Sequence, residues 1–470
     1  MKFFPFLFFA AVIFFVSQTG CRKDPINTDS SAKLSFSSDT IVFDTVFTTV
    51  GSSTRQFRIY NTSSKSIKIS SIRLAGGVHS NFHLNIDGVP AVSQTNIEIR
   101  GKDSMYVFVD VDVDPNNSNS PLMIEDSILF ETNGNHQHVI LNAVGQDAYF
   151  HYYETLNCNE TWTNDKPHVI YGYAIIPKNC TLTILPGTRV YIHHNGVLAA
   201  DSNSTLKVLG QYGNPATFQG DRLEPDYAEE PGQWGYIWLS QLSKNSVIDW
   251  AVIKNGNIGI LSDSALFNSI KPTIRVTNTK ISNMTIAGIF GRDSWMEGDN
   301  VAVSNCGQYS LAVAYGGRCT FSHCSFGNYW NISTRTTPAL LLNNWYKIDD
   351  FTNNERELIE ANFYNCIIYG DQTNEIGLDS STASGVHYNY VFSHCDMKTN
   401  VNTSSATHFI NDVFGDPAFA DVPHNNLQLN ANSAARNIGD PAIGALYPFD
   451  LNNTLRTADG QPDAGAYEGQ

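Results

Sequence analysis

The sequence predicts an all-β chain in two parts, an antiparallel β-sandwich followed by a parallel β-helix. From Leu34 to about Asp147, apolar and polar residues alternate with period two in seven or eight short runs separated by turn residues. From about His168 to Phe419, strand-like runs continue but recur at a loose interval rich in Asn and Gly. Neither stretch carries a helical period.

Residues 1–20 read as a cleaved export signal: Met1-Lys2 is a short basic start, Phe3 to Val16 is nearly all apolar, and Ser17-Gln18-Thr19-Gly20 leads to Cys21. This layout resembles the bacterial lipoprotein signal, which implies that Cys21 receives lipid and becomes the mature N-terminus. Gln18 stands where that pattern carries an aliphatic residue, so cleavage without lipidation and a retained anchor stay open; each still exports the chain. Residues 21–33 are polar and aperiodic, as a tether requires. Within them Arg22-Lys23-Asp24 resembles the charged segment after the lipid cysteine of Bacteroidota lipoproteins sent to the cell surface.

The sandwich is assigned to residues 34–148, with runs such as Thr40 to Phe47, Gln56 to Tyr60, Ile67 to Leu74 and Met105 to Val111. Val50-Gly51, Tyr60-Asn61, Asp103-Ser104 and Ala143-Val-Gly-Gln make it resemble the immunoglobulin-like domains of cell-surface proteins. These motifs mark turns and packing and imply no active site.

The β-helix is assigned to residues 149–425. Taking Ile253, Ile281, Val303, Phe326, Ile368 and Met397 as equivalent gives intervals of 28, 22, 23, 42 and 29 residues. The 42-residue interval holds either two coils or one coil with an excursion at Trp330 to Glu357. In stacked coils, inward side chains lie over like side chains about 4.8 Å away, while Asn and Gly fill the tight bends. Cys306, Cys324 and Cys366, each directly after Asn or His, are expected in one internal column. Leu182 to Ile192, Gly196 to Ala200 and Leu206 to Gly210 resemble the opening coils of pectate-lyase-like proteins, which implies a right-handed helix. Residues 426–470, with Asp450, Arg456, Asp463 and Glu468, resemble the terminal motif of that group and are expected to cap the last coil.

Composition excludes several partners. Without residues 1–20 the chain has 28 basic and 45 acidic residues, a formal charge of about −17, and no Lys/Arg cluster, so nucleic acid is not expected. No second apolar run approaches the ~18 to 20 residues that cross a bilayer, leaving lipid as the membrane attachment. Seven cysteines remain; Cys158 and Cys180 stand apart and can form one disulfide, while the other five lie in apolar repeats as small hydrophobes. Their spacing forms no zinc site.

Chemistry is harder to find. Asp221, Glu224, Asp226, Glu229 and Glu230 form an acidic stretch that could hold acid and base for glycoside cleavage or bind calcium, but also reads as a solvated loop. No other cofactor is expected. Asp349-Asp350 is similar to the paired aspartates of polygalacturonase-type hydrolases, whose Gly-His-Gly and Arg-Ile-Lys elements are absent. A lyase base is sought among Lys254, Arg275, Lys280, Arg292 and Arg318. Two aromatic clusters, one with Trp234, Tyr236 and Trp238, the other with Trp330 and Trp345, offer faces for sugar stacking or for core packing.

The leading expectation is a cell-surface lipoprotein, lipid-anchored at the outer membrane, whose helix presents a face for glycan or extracellular matrix. A polysaccharide lyase or hydrolase is the second, though no complete catalytic constellation is legible. A purely structural or adhesive envelope component is the third.

Overall fold

A computed structural model of the protein describes residues 25–48, 50–115, 121–264, 270–349, 352–458 and 460–469. Cys21, the signal segment and Asp350 lie outside the described residues. The chain divides into two compact units, one ending at Asp147 and the other running Ala148–Gln470.

The first unit is built from two five-stranded sheets. One orders Ser35–Phe36, Arg55–Tyr60, Ser104–Val111, Phe82–Ile86 and Val89–Pro90, antiparallel throughout. The other orders Thr40–Phe47, Asn135–Gln146, Leu122–Thr132, Ile67–Leu74 and Ser93–Ile99, with its first two strands parallel. Period-two patterning produces one shared core: Met105, Val107, Val109 and Val111 are buried while their neighbours are half-exposed. Asn61, itself buried, donates from Nδ2 to the Lys65 and Ile99 carbonyls, satisfying backbone that the turn leaves unpaired.

In the second unit a 25-stranded sheet contains only parallel pairings, each strand bonding to those one turn earlier and later, the arrangement of a parallel β-helix. Three faces alternate along the chain. The first includes Thr181–Ile184, Thr205–Leu209, Ser246–Asp249 and Ile274–Thr277. The second includes Ala216–Gly220, Ala251–Lys254, Lys280–Met284, Ala302–Cys306, Ser325–Asn328 and Ile367–Gly370. The third includes Val197–Ala200, Trp234–Leu239, Gly256–Ser262, Leu340–Asn343 and Ile376–Asp379. Two long strands, Ala287–Asp299 and Tyr309–Ser322, carry the third face and then the first.

The six anchors stack in register from Ile253 through Ile281, Val303, Phe326 and Ile368 to Met397. All are essentially inaccessible. Because Phe326 pairs directly with Ile368, the 42-residue interval is one coil with an excursion. Arg335, fully buried, ties that excursion down through Glu375 at 2.7 and 2.8 Å. Bends between the second and third faces carry Asn255, Asn283 and Asn305 at φ 66°, 56° and 51°. Their amides form a ladder, Asn305 to Asn283 at 2.7 Å and Asn283 to Asn255 at 3.1 Å. Asn tolerates this left-handed backbone because its short amide bonds locally.

Two expectations are corrected. Cys324, Cys366 and Cys395 share a column, with the Cys366 amide 3.4 Å from Cys395 Sγ, but Cys306 stacks under Met284 at a different bend. Asn305 and His323 look alike in sequence yet turn different corners. The C-terminal segment does not close the end of the solenoid. It folds along the outside of the second face, where Phe419, Leu427, Leu451 and Tyr467 pack with Ala302 and Ile367. Arg456 is buried there, bonding Asn300 Oδ1 at 2.8 Å and Glu468 Oε2 at 3.3 Å. The outward residues of the second face beneath this layer are small or apolar at Ala302, Ser325, Gly327 and Ile367, which lets the layer pack closely on it. Cys158 and Cys180 are disulfide-bonded.

Candidate functional site

The outer side of the third face carries an aromatic groove of about 760 Å³. In the first coils Tyr152 stacks on Tyr171 at 5.1 Å between ring centroids, and Tyr153 meets Tyr173 edge-on at 5.4 Å. Strand alternation places Tyr236 and Trp238 outward while Ile237 and Leu239 enter the core. Gly172, at φ +76°, lets the Tyr153 ring lie against the backbone; a Cβ there would meet that ring at 2.3 Å. His193 borders the groove, its Nδ1 2.7 Å from Asp221 Oδ2 and its ring 4.5 Å from Tyr171. Burial and the nearby Asp221 push the Tyr171 hydroxyl up from its ordinary range.

Trp238 connects this groove to a polar cleft of about 290 Å³ at the bend from the third face to the first. Its Nε1 donates to Asp263 Oδ2 at 2.9 Å. Arg292, one coil further, clamps the same carboxylate: Nε to Oδ1 at 2.6 Å and Nη2 to Oδ2 at 2.8 Å. Asp293 follows at φ 50°, where the register with the next coil slips, so that Asp293 alone stands opposite Tyr315 and Gly316. Tyr315, across that same slip in the next coil at φ 62°, lies 4.8 Å from Tyr346 of the excursion. Arg356, also from the excursion, places Nε 4.0 Å from Asp293 Oδ2.

Asp293 is the perturbed group of the cleft. Its Oδ1 is buried with no hydrogen-bond partner among the described residues. Burial pushes the carboxyl up to about 6, against a smaller opposing pull from Arg356. A carboxyl poised there can deliver a proton near neutral pH.

The residues singled out from sequence are dispersed. Asp221 faces His193 beside the groove, whereas Glu229 turns away to Lys254 Nζ at 2.9 Å and Asn283 Nδ2 at 2.6 Å. Asp226 lies in a short 3₁₀ turn, Pro225–Tyr227, and is exposed. The acidic stretch is therefore a loop from which Asp221 and Glu229 reach different partners. Among the described residues, no group of three or more His, Cys, Asp or Glu is placed to hold a metal ion. Asp349 is exposed in the turn between Trp345–Lys347 and Asn353–Glu355. Trp234 is wholly buried, donating to the Lys254 carbonyl at 2.8 Å, and Trp330 is buried with Nε1 on Ser333 Oγ; neither offers a face to sugar. Trp238 and Trp345 are half-buried on the third face and excursion, with Trp345 Nε1 on Asp379 Oδ1 at 2.9 Å. The basic candidates occupy different faces, and Arg292 alone among them enters the polar cleft.

No protein-family model matches the chain, and no curated protein matches it in sequence. Among solved structures it is similar to the catalytic unit of a thermostable GH87 alpha-1,3-glucanase from Streptomyces thermodiastaticus strain HF3-3, at 9% identity over 76% of this chain and 88% of that one, TM-score 0.23. It is also similar to a family 123 glycoside hydrolase from Clostridium perfringens, at 8% identity over 26% of this chain, TM-score 0.18. The match spans 30% of that enzyme's length. A protein of unknown function from Porphyromonas gingivalis W83 matches at 12% identity over 27% of this chain and 52% of its own, TM-score 0.18. Scores this low leave the chemistry to be argued from the side chains.

Proposed function

We propose that this protein is an exported lipoprotein, attached through Cys21 to the outer membrane and displayed at the cell surface, whose β-helix binds a glycan strand along its third face. The first unit, read as an immunoglobulin-like sandwich, acts as a spacer, and the helix is read as right-handed. The observation that carries the binding proposal is the gathering of Tyr152, Tyr171, Tyr173, Tyr236 and Trp238 along one groove, from three coils with Val197 and Ala199 of an intervening coil between them. Planar faces repeated along the axis suit the apolar faces of successive sugars. Among the described residues no Lys or Arg lines that groove, which favours a neutral polysaccharide over a uronate or sulfate. An extracellular-matrix glycan of the same character would fit equally.

The test is titration calorimetry of the lipid-free mature protein with soluble neutral glucans, mannans and galactans, using polygalacturonate as the charged control. Trp238→Ala and Tyr152→Ala should each weaken binding about tenfold, roughly 1.4 kcal/mol. A preference for polygalacturonate, or binding untouched by both substitutions, would defeat the assignment. Failure to bind any glycan would leave a structural or adhesive role as the better reading.

A further inference from the structure

We propose that the polar cleft beyond Trp238 hydrolyses the glycan held by the groove, with Asp293 as proton donor to the glycosidic oxygen and Asp263 as the opposing carboxylate. This rests on the glycan-binding reading and goes beyond it, because a groove can hold a polysaccharide without cutting it.

Position is the first argument. Trp238 lines the aromatic groove and bonds Asp263 of the cleft, so a strand following the aromatic rings is led to the carboxylates. Groove and cleft together span the coils from Tyr152 to Tyr315, roughly 30 Å at about 4.8 Å per coil. Tyr315 and Tyr346 continue the aromatic surface past the carboxylates.

The second argument is the different condition of the two acids. A carboxylate has about four lone-pair sites; at Asp263 Arg292 takes two and Trp238 one, fixing its orientation and, among the described residues, leaving one site on Oδ1. Asp293 is held by no such clamp. The charged and titratable groups around it are Arg292 on its own strand, Asp263 from the coil before, Tyr315 from the coil after, and Arg356 from the excursion. Its buried Oδ1 has no partner among the described residues, and its proton is retained up to about pH 6. Asp293 stands alone opposite Tyr315 and Gly316 of the next strand, a single bulge, and Gly316 and Gly317 make room beside it. A Cβ on Gly317 would come within 2.5 Å of the Ser294 carbonyl oxygen, so that passage requires glycine.

The reaction balances with water as the only co-reactant. As the bond between the anomeric carbon and the glycosidic oxygen breaks, its electron pair stays on the oxygen, which takes the proton from Asp293. Water oxygen bonds to the anomeric carbon and its proton passes to Asp263. Solvent then returns the proton from Asp263 to Asp293. Arg292 is a positioning residue in this scheme, acting through Asp263.

The experiment incubates the mature protein with the same neutral glucans, mannans and galactans and measures reducing ends between pH 4 and 8, alongside calorimetric affinity. The wild type should release reducing ends from the polysaccharide it binds, with the rate falling as pH rises through about 6. Asp293→Asn should keep affinity within about twofold and lose at least 100-fold in turnover. Asp263→Asn should also lose turnover, and Trp238→Ala should lose affinity. A structural role for Asp293 would instead change thermal stability and leave the pH profile unmoved. Binding by the wild type without reducing ends at any pH, or full turnover by Asp293→Asn, would overturn hydrolysis while leaving glycan binding intact. Absence of binding to every polysaccharide would remove both.

Discussion

Asn283 gives the sharpest test of how the coils hold together, because one amide there joins four parts of the second unit. Its Nδ2 donates to Asn255 Oδ1 of the preceding coil at 3.1 Å and to Glu229 Oε2 of the acidic loop at 2.6 Å. Its Oδ1 accepts from Asn305 of the next coil at 2.7 Å and from Asn425 of the C-terminal layer at 3.0 Å. The residue is almost inaccessible and left-handed at φ 56°. A neutral hydrogen bond contributes about 1 kcal/mol net. Glu229 is exposed and can return to water, so the four bonds together are worth about 3 kcal/mol. Alanine also meets the left-handed penalty of about 1–2 kcal/mol, which glycine escapes. Asn283→Ala should therefore cost about 4–5 kcal/mol and Asn283→Gly about 3 kcal/mol. All seven tryptophans lie between Trp162 and Trp345, so tryptophan fluorescence during urea unfolding reports the second unit alone. Equal costs for Ala and Gly would show that the bend imposes no backbone strain. Costs under about 1 kcal/mol for both would show that the ladder contributes little.

Two further outcomes follow from burial. Among the described residues the five free cysteines are all buried, and burial pushes the Cys306 thiol up to about 12, so a chain starting after Cys21 should show no thiol reactive to a disulfide reagent when native and five when denatured without reduction. Stoichiometric reaction of any native thiol would refute the packing. Burial holds the Asp299 carboxyl up to about 7, outweighing the pull of Arg275, so between about pH 4 and 7 the folded chain retains a proton that the unfolded chain has lost. This contribution to stability is complete near pH 4 and disappears as pH rises through 7. Asp299→Asn should accordingly gain stability relative to wild type more at pH 8 than at pH 4 in matched urea titrations; an equal difference at both would contradict the burial argument.

The inward ladder was legible because stacked coils demand like residues at like positions. Its six anchors share hydrophobicity and an interval, and parallel pairing does the rest. The bends were legible only in part. Between the first and second faces the left-handed column runs Trp250, Asn278, Asn300, His323, Asn365, His394 and Asn411, so residue type conceals a shared φ of 47–55°. Parity does not decide the side of Trp234. It has the outward parity of Tyr236 and Trp238, but it sits at the corner opposite Gly256, whose missing Cβ leaves space for the indole to turn inward. In the acidic stretch, likewise, proximity along a loop does not decide which side of a bend each carboxylate reaches.

Asp293 escaped notice because it is a lone acid in Gly-Arg-Asp-Ser, with none of the sequence neighbours that join it in the cleft. Its partners come from residues 263, 315 and 356, separated by one coil each or by the excursion. The available signal was an offset, since Asp293 and Tyr315 are left-handed corners 22 residues apart on the two sides of one register slip. A register slip frees a side chain from the ladder and exposes backbone that a regular coil would pair. Repetition therefore restrains the inside of the solenoid while leaving its outer face free to vary. Chemistry should be sought where the repeat is broken on that outer face, at a bulge beside an excursion, and in this chain that intersection contains Asp293.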